Sequence, residues 1–471
     1  TIEYLIHAGD NAVRLYASSE AAEHYSHALN LIDKIPDSER PDRVLTLYQK
    51  RGAANVALGH FQQAVEDYTE MLKQARALGS PVQESAALNA LTMTLFYSHR
   101  LDEITERADE ILRAAERAGS EALRIEAMQV LALKSLGYGE VAKARSMLDE
   151  IIRGARALNH KTVLLVGLAW RGVLHFFQTE YEAAETMLLE ARSLAMELRD
   201  SFLLLDSYFV LGMARGNQGR ISEALSTLGE GMELAARYGD HFWSPRMPNC
   251  IGWIYREMQD FERAIKYDMK GFDVGREHNV LEAQANSLIN LGIDYNRSGE
   301  SIKTLALFHE VERIFQRDAW FRWRYNIRLQ AGKCEDALGR GDIETAYEYA
   351  KRLLEIATEY EAHKYVAVAH HLLAQIAVAR GNLSEAEAEL DSALAELRAY
   401  PVPIVEWRVL STAGRLRAER GDDRGAREAF AGALDIINKI AANVEDEELR
   451  KTFLSSPPVR EVMAGATRTA S

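Results

Sequence analysis

Proline is nearly missing from this chain, with nine residues in 471. Beside abundant Ala, Leu, Glu and Arg, that scarcity is the propensity signature of an all-helical protein, and no strand is expected. Cysteine is scarcer still. Cys250 and Cys334 lie 84 residues apart and are too few for a disulfide framework or a thiolate metal site, so a reducing cytoplasm is the expected location. No apolar stretch reaches the roughly 20 residues that span a bilayer. Thr162 to Trp170 is among the longest, and no signal peptide opens the chain, so a soluble protein is expected. Positive charge is also in deficit. The 56 basic residues face 70 acidic ones, giving a net charge of -14, which opposes attraction to phosphate backbones and anionic membranes. Neither nucleic acid nor membrane is expected as a partner.

What is present is apolar material, 47% of the residues against 27% charged, which sets a disordered chain aside. A single core stops growing well before this length, so two to four domains would be ordinary unless the chain repeats. It repeats. A small or turn-forming residue is followed two positions on by an apolar residue and five on, usually, by Ala, as in Gly59, Phe61 and Ala64. The same spacing starts at Gly139, Thr179, Gly219, Gln259, Gly341, Gly381 and Gly421, with weaker copies at Ala17, His99 and Gly299. These eleven anchors are 40 residues apart except for steps of 42 after Ala17 and after Gly299.

Each unit reads as a helix, a tight turn, a second helix and a linker. The anchor supplies a left-handed cap, the apolar residue staples the turn, and the Ala lets the paired helices approach. A second small residue falls seven before the anchor at Gly52, Gly172, Gly212, Gly252, Gly292 and Gly414, where a facing helix is expected to press on the backbone.

Arg51-Gly52 with Ala64 and Tyr68, Leu211-Gly212 with Ala224, and Leu291-Gly292 with Tyr295 resemble the tetratricopeptide repeat, whose usual period is 34. Units lengthened to about 40 are similar to those of the bacterial maltose activator's sensor domain and of kinesin light chains. The resemblance implies a right-handed α–α superhelix of about eleven hairpins over residues 1–440, with a C-terminal capping helix and tail over 441–471. A narrower likeness lies at the two ends. Ala8-Gly9-Asp10-Asn11-Ala12, then Ala21-Ala22-Glu23-His24-Tyr25 and Ala28-Leu29, resembles the opening of the helical arm of STAND-type signalling ATPases. The run from Leu449 to Arg460 resembles the way such arms end. That resemblance implies an N-terminal nucleotide-binding domain, and a chain starting at Thr1 in mid-helix is expected to be a piece of a longer protein.

Catalytic constellations are lacking. Gly332-Lys333 has neither the upstream Gly nor the following Ser or Thr of a phosphate loop. His370 and His371 point to different sides of one helix rather than at one metal, and Glu385, Glu387 and Glu389 read as solvating charges. No catalytic residue, metal or cofactor is assigned, and the chain is read as a non-enzyme.

In a superhelix of this family the first helix of each pair lines the concave face, at about 13, 10, 6 and 3 residues before the anchor. At the anchor Gln259 this selects Arg246, Asn249, Trp253 and Arg256; at Gly299 it selects Asn286 and its neighbours, with Asn290 one position away. The aromatic and basic run from Trp320 to Arg328, beside the longer step, adds Trp323, Arg324 and Arg328. Amides and guanidinium groups can clamp a peptide backbone or a carboxylate, and Trp offers a flat platform. The competing reading makes Trp243, Trp320 and Trp323 gap-fillers between long helices, with Phe176 and Phe177 in the core. Pro245 and Pro248 predict a helix that begins late. The function expected is a sensor arm binding a protein, peptide or small molecule on its concave face, with a free-standing scaffold as the alternative.

Overall fold

Helix starts along the chain are written in short polar side chains: those of Ser80, Ser120, Asp200, Asp260, Asp342, Asn382 and Asp422 each accept a hydrogen bond from a backbone N–H in the following first turn. The stops are left-handed residues. Gly59, Gly139, Gly219, Gly299, Gly341, Gly381 and Gly421 have φ between 75° and 89°, and His99, Thr179 and Gln259 take the same conformation without being glycine. In the first repeat the left-handed residue is Tyr16, one before the expected Ala17. A second left-handed series, not read from the sequence, closes outer helices at Gly79, Gly119, Asn159, Arg199, Gly239, Asn279 and Glu361, and its member Phe321 instead opens the helix Arg322–Gly339.

The computed structural model describes residues 1–467, which form 24 α-helices and two short 3₁₀ turns, with no strand among them. Most paired helices have 17 or 18 residues, roughly 25 Å at 1.5 Å per residue. The helix after Pro245 does begin late, spanning only Arg246–Glu257. None of the described helices is long and apolar enough to cross a membrane. The helices form an α–α superhelix of tetratricopeptide type in which, from Pro81–Tyr97 to Pro403–Glu419, each inner helix packs on the next inner helix. Inner and outer layers bury very different amounts. Helix Ser201–Asn217 hides 15 of its 17 residues, whereas the outer helix Phe261–Glu277 hides only Ala264, Asp268, Gly271 and Gly275.

The glycines seven before the anchors do pack as the spacing predicts. Gly52 meets Tyr68, Gly172 meets Leu188, Gly252 meets Asp268, Gly292 meets Phe308 and Gly414 meets Phe430. A Cβ on Gly212 would stand 2.4 Å from Cγ of Leu228, closer than any carbon pair tolerates. Gly212→Trp is therefore expected to destabilise the fold by about 1–3 kcal/mol or more, read by urea and thermal unfolding. An unchanged midpoint would reject this register.

The coil winds tightly enough to touch itself. The N–H of His241 donates to the carbonyl of Leu58 at 3.3 Å, and His99 meets Asp318 at 2.7 Å. Further on, Trp323 Nε1 donates to Leu136 O at 3.1 Å, Arg263 pairs with Asp446 at 2.8 Å, and Glu445 N donates to Ser222 Oγ at 2.8 Å. These partners are 183 to 223 residues apart, so about five repeats complete a turn and successive turns meet along a seam. Rings fill the upper part of the coil's interior, where an open channel would otherwise run. Tyr97 and Phe202 lie 4.5 Å apart, Trp320 and Phe321 4.6 Å, and Phe96 and Trp170 5.1 Å between centroids. Phe321 holds φ at 49°, and this turn, at the 42-residue step, belongs to the same buried run as Trp320. Trp243 and Trp320 thus fill the core.

Beyond the last hairpin, where one capping helix and a tail to 471 were expected, two helices, Glu447–Ser455 and Pro457–Thr467, follow one another, and residues 468–471 lie outside the described residues. Gly465 in the second sits against Phe430, closing the apolar end of the solenoid.

Candidate ligand-binding site

Below the aromatic plug the interior opens into a pocket on the seam. Its atom-free space, counted to an open mouth, is about 720 Å³. Phe176, Phe177, Thr179, Tyr181, Met213 and Asn217 come from the earlier coil, and Trp323, Arg324, Ile327, Arg328, Lys364 and Tyr365 from the later one. Asn249, Cys250, Trp253, Asn286 and Asn290 form the floor between them. No aspartate or glutamate is among the lining residues.

The amides do not face the pocket as free groups. Asn249 Nδ2 donates to Ala283 O at 3.3 Å, and its Oδ1 accepts from Ser287 Oγ at 2.7 Å. Asn290 Nδ2 donates to Asn249 O at 2.9 Å and to Asp268 Oδ1 at 2.6 Å. The remaining oxygens of Asn286 and Asn290 accept from Arg328, and that of Asn217 accepts from Lys364 Nζ at 2.8 Å. The amides are held by the fold and in turn hold the cations.

Those cations are unusual for this molecule. Elsewhere the inner-helix arginines that are withdrawn from solvent meet carboxylates, as Arg171 does with Asp149, Arg215 with Glu185, Arg297 with Glu335 and Arg417 with Glu387. Arg324, Arg328 and Lys364 have none within ion-pairing distance among the described residues; rings and neutral oxygens surround them. Arg324 lies over Phe177 at 4.8 Å and Tyr325 at 4.7 Å, while Lys364 sits over Trp253 at 5.1 Å. Burial pushes the Arg324 pKa down to about 10, the field of Glu282 opposes the fall, and the neighbouring charge of Arg328 adds to it. Burial likewise lowers Lys364. Burial alone would raise the Tyr365 phenol, yet Lys364, Arg328 and Arg324 together hold it below its ordinary value.

Seven of the nine residues selected from the sequence line this pocket: Asn249, Trp253, Asn286, Asn290, Trp323, Arg324 and Arg328. Arg246 and Arg256 do not. Arg246 turns into the core behind the pocket, 2.5 Å from Glu282 and stacked 3.6 Å from the Phe242 ring centroid. Arg256 points into the interface between repeats, where its Nη1 donates to Asp294 at 3.0 Å. Both follow the same rule, since a guanidinium next to a buried carboxylate is drawn to it rather than to an open cavity. Phe176 and Phe177, read as core, pack on the core with one side and line the pocket with the other. Lys364 and Tyr365 were not selected. They stand 17 and 16 before the anchor Gly381, as Arg324 stands 17 before Gly341, so extending the window by one helical turn would have found them. His370 and His371 do diverge, the first meeting Glu389 at 2.7 Å and the second Thr412 at 2.8 Å.

No protein-family profile matches the chain. No curated protein sequence matches it either. Solved structures do. A Rap protein complexed with competence and sporulation factor superposes with a TM-score of 0.59 at 14% identity, covering 77% of this chain and 100% of its own. The Rap conjugation gene regulator of the plasmid pLS20, in complex with the Phr* peptide, gives 0.50 at 15% identity, covering 77% and 98%. At such identities the likeness is one of fold.

Proposed function

We propose that this chain is a ligand-receiving regulatory module whose pocket between the coils captures a peptide or a small molecule. The observation that carries the reading is the pocket's construction. Aromatic walls and three cations without carboxylate partners converge there from two turns of the coil. Concave, mostly apolar cavities with a few convergent polar groups are where ligands seat. Three more spacious cavities each mix acids with bases; one pairs Asp10 and Asp200 with Lys50 and Arg199, another Asp318 with Arg317, another Glu335 with Arg408. The two Rap proteins of the same fold, seen with a factor and with a peptide, support capture by a coil of this kind.

In its finer form the module is the sensor arm of a STAND-type ATPase, read out by an N-terminal nucleotide-binding domain. Support comes from the opening and closing segments and from the pocket's place on the seam. The N–H of Lys364 donates to Thr179 Oγ1 at 2.8 Å while its Nζ reaches Asn217, so a ligand that takes hold of Lys364 competes with a bond between coils.

The test is capture from a native lysate, read by mass spectrometry of proteins and small molecules, for the unmodified chain, a Trp253→Ala, Tyr365→Ala variant, and an outer-face Lys270→Ala, Arg276→Ala variant. The ligand is expected to vanish only from the pocket variant. A partner kept by the pocket variant and lost from the outer-face one would overturn the reading in favour of a scaffold.

A further inference from the structure

Resting on the reading of this pocket as a ligand site, we infer that its ligand is a compact organic anion: a flat, apolar body carrying a carboxylate or phosphate.

Three observations define that chemistry. The first is charge. In a chain of net charge -14 whose buried arginines otherwise find carboxylates, this pocket keeps Arg324, Arg328 and Lys364 on amide oxygens and ring faces. Each acceptor is neutral, so it fixes the cation's position and leaves its charge undiminished. Of the carboxylates that act on these cations, Glu282 on Arg324 and Glu257 on Lys364, each is engaged elsewhere, Glu282 with Arg246 and Glu257 with Arg408. A half-buried cation at the mouth of an apolar pocket, without a counter-charge, carries part of the cost of leaving water, and an arriving anion offsets it. A neutral ligand does not.

The second is shape. Phe177 and Trp323 meet edge to face at 5.5 Å, with Phe176 5.8 Å from Phe177; Trp253 stands on the floor. Such walls take a flat ring by stacking or by its edge, and fit poorly around a branched, fully hydrated group.

The third is the closed end. Trp170, Trp243, Trp320 and Phe321 occupy the interior behind the pocket, leaving only a small cavity of about 380 Å³ that shares Phe177, Met213 and Arg324 with it. An extended polymer cannot thread through, so the occupant is a small molecule or the end of a chain. The two sources share one chemistry, an anion attached to a ring.

Calorimetry on the whole chain tests this with paired probes: 1-naphthoate and 1-naphthyl phosphate against neutral 1-naphthalenemethanol, and N-acetyltryptophan against N-acetyltryptophanamide. At least one anion is expected to bind about tenfold or more tighter than its neutral partner, as a charge-assisted contact requires. Which pair responds identifies a free small molecule or a chain end. In Lys364→Met and in Arg324→Met the preference of the anion over its neutral partner shrinks. Lys364→Met without ligand is also expected to melt no lower than the unmodified chain, because a like charge has left a crowded site. A purely structural lysine would give the opposite shift. Equal binding of anion and neutral partner, binding of none, or a preference untouched in both variants overturns the anion assignment. A neutral ligand captured from lysate and lost in the Trp253→Ala, Tyr365→Ala variant would leave the module reading standing and sink the anion alone.

Discussion

Glu282→Ala is expected to cost the fold about 3–5 kcal/mol, the usual consequence of leaving one member of a buried ion pair alone. Arg246 is 2% exposed and Glu282 3%, so neither can turn to water. The charges are 2.5 Å apart, and the guanidinium also donates through Nη1 to the carbonyl of Phe242. Removing the carboxylate strands Arg246 against the ring of Phe242 and withdraws the field that opposes the lowered pKa of Arg324. Glu282→Gln keeps the volume and loses the charge, so most of the cost should persist in it. Replacing both partners, Arg246→Met with Glu282→Leu, should recover the greater part, because the double change removes the buried charge along with its partner. Urea unfolding of the four chains is the measurement. A single-variant loss below about 1 kcal/mol, the scale of an exposed pair, would mean that the charges are hydrated after all.

The second large effect depends on pH. Asp206 is 1% exposed, its Oδ2 has no hydrogen-bond partner, and burial followed by the charge of Asp200 raises its pKa to about 8. It therefore stays protonated at neutral pH. A carboxyl whose folded pKa lies above its unfolded value binds more protons folded than unfolded. The stability it permits is fully present below the unfolded value near 3.8 and is lost as pH rises through about 8. Asp206→Asn removes that dependence. The stability of the variant minus that of the parent should grow by roughly 4 kcal/mol between pH 5 and pH 8, at about 1.4 kcal/mol per unit of pH. Denaturation at several pH values reads it directly, and a difference that stays flat would mean that Asp206 is ionised in the fold.

The repeat, its period and its packing glycines were legible because each is a local steric demand. A left-handed turn asks for Gly, as at Gly59, and a close helix crossing leaves no room for a side chain, as at Gly212. The second series of left-handed turns was half-written in Gly79, Gly119 and Gly239, and hidden where Arg199, Phe321 and Glu361 adopt the same conformation. Much of the pocket was within reach too, since concave positions follow from the register. The closeness of successive coils was not. Lys364 reaches Asn217 only because about four repeats curl it back, and no local pattern encodes that curvature. Nor does spacing say which polar groups satisfy one another. Arg246 and Arg324 look alike in sequence, yet one lies against Glu282 and the other opens onto the pocket.

A row of hairpins joined only to its neighbours unravels from the ends, shedding one unit at a time under load. The seam makes this chain behave otherwise. Leu58 is tied to His241, His99 to Asp318, Ser222 to Glu445 and Arg263 to Asp446, so most interior units are anchored both along the chain and across it. Tension applied to the two termini meets a spring whose windings are welded together, and it stretches little until the welds give way. When they do, units half a molecule apart lose their footing in the same event.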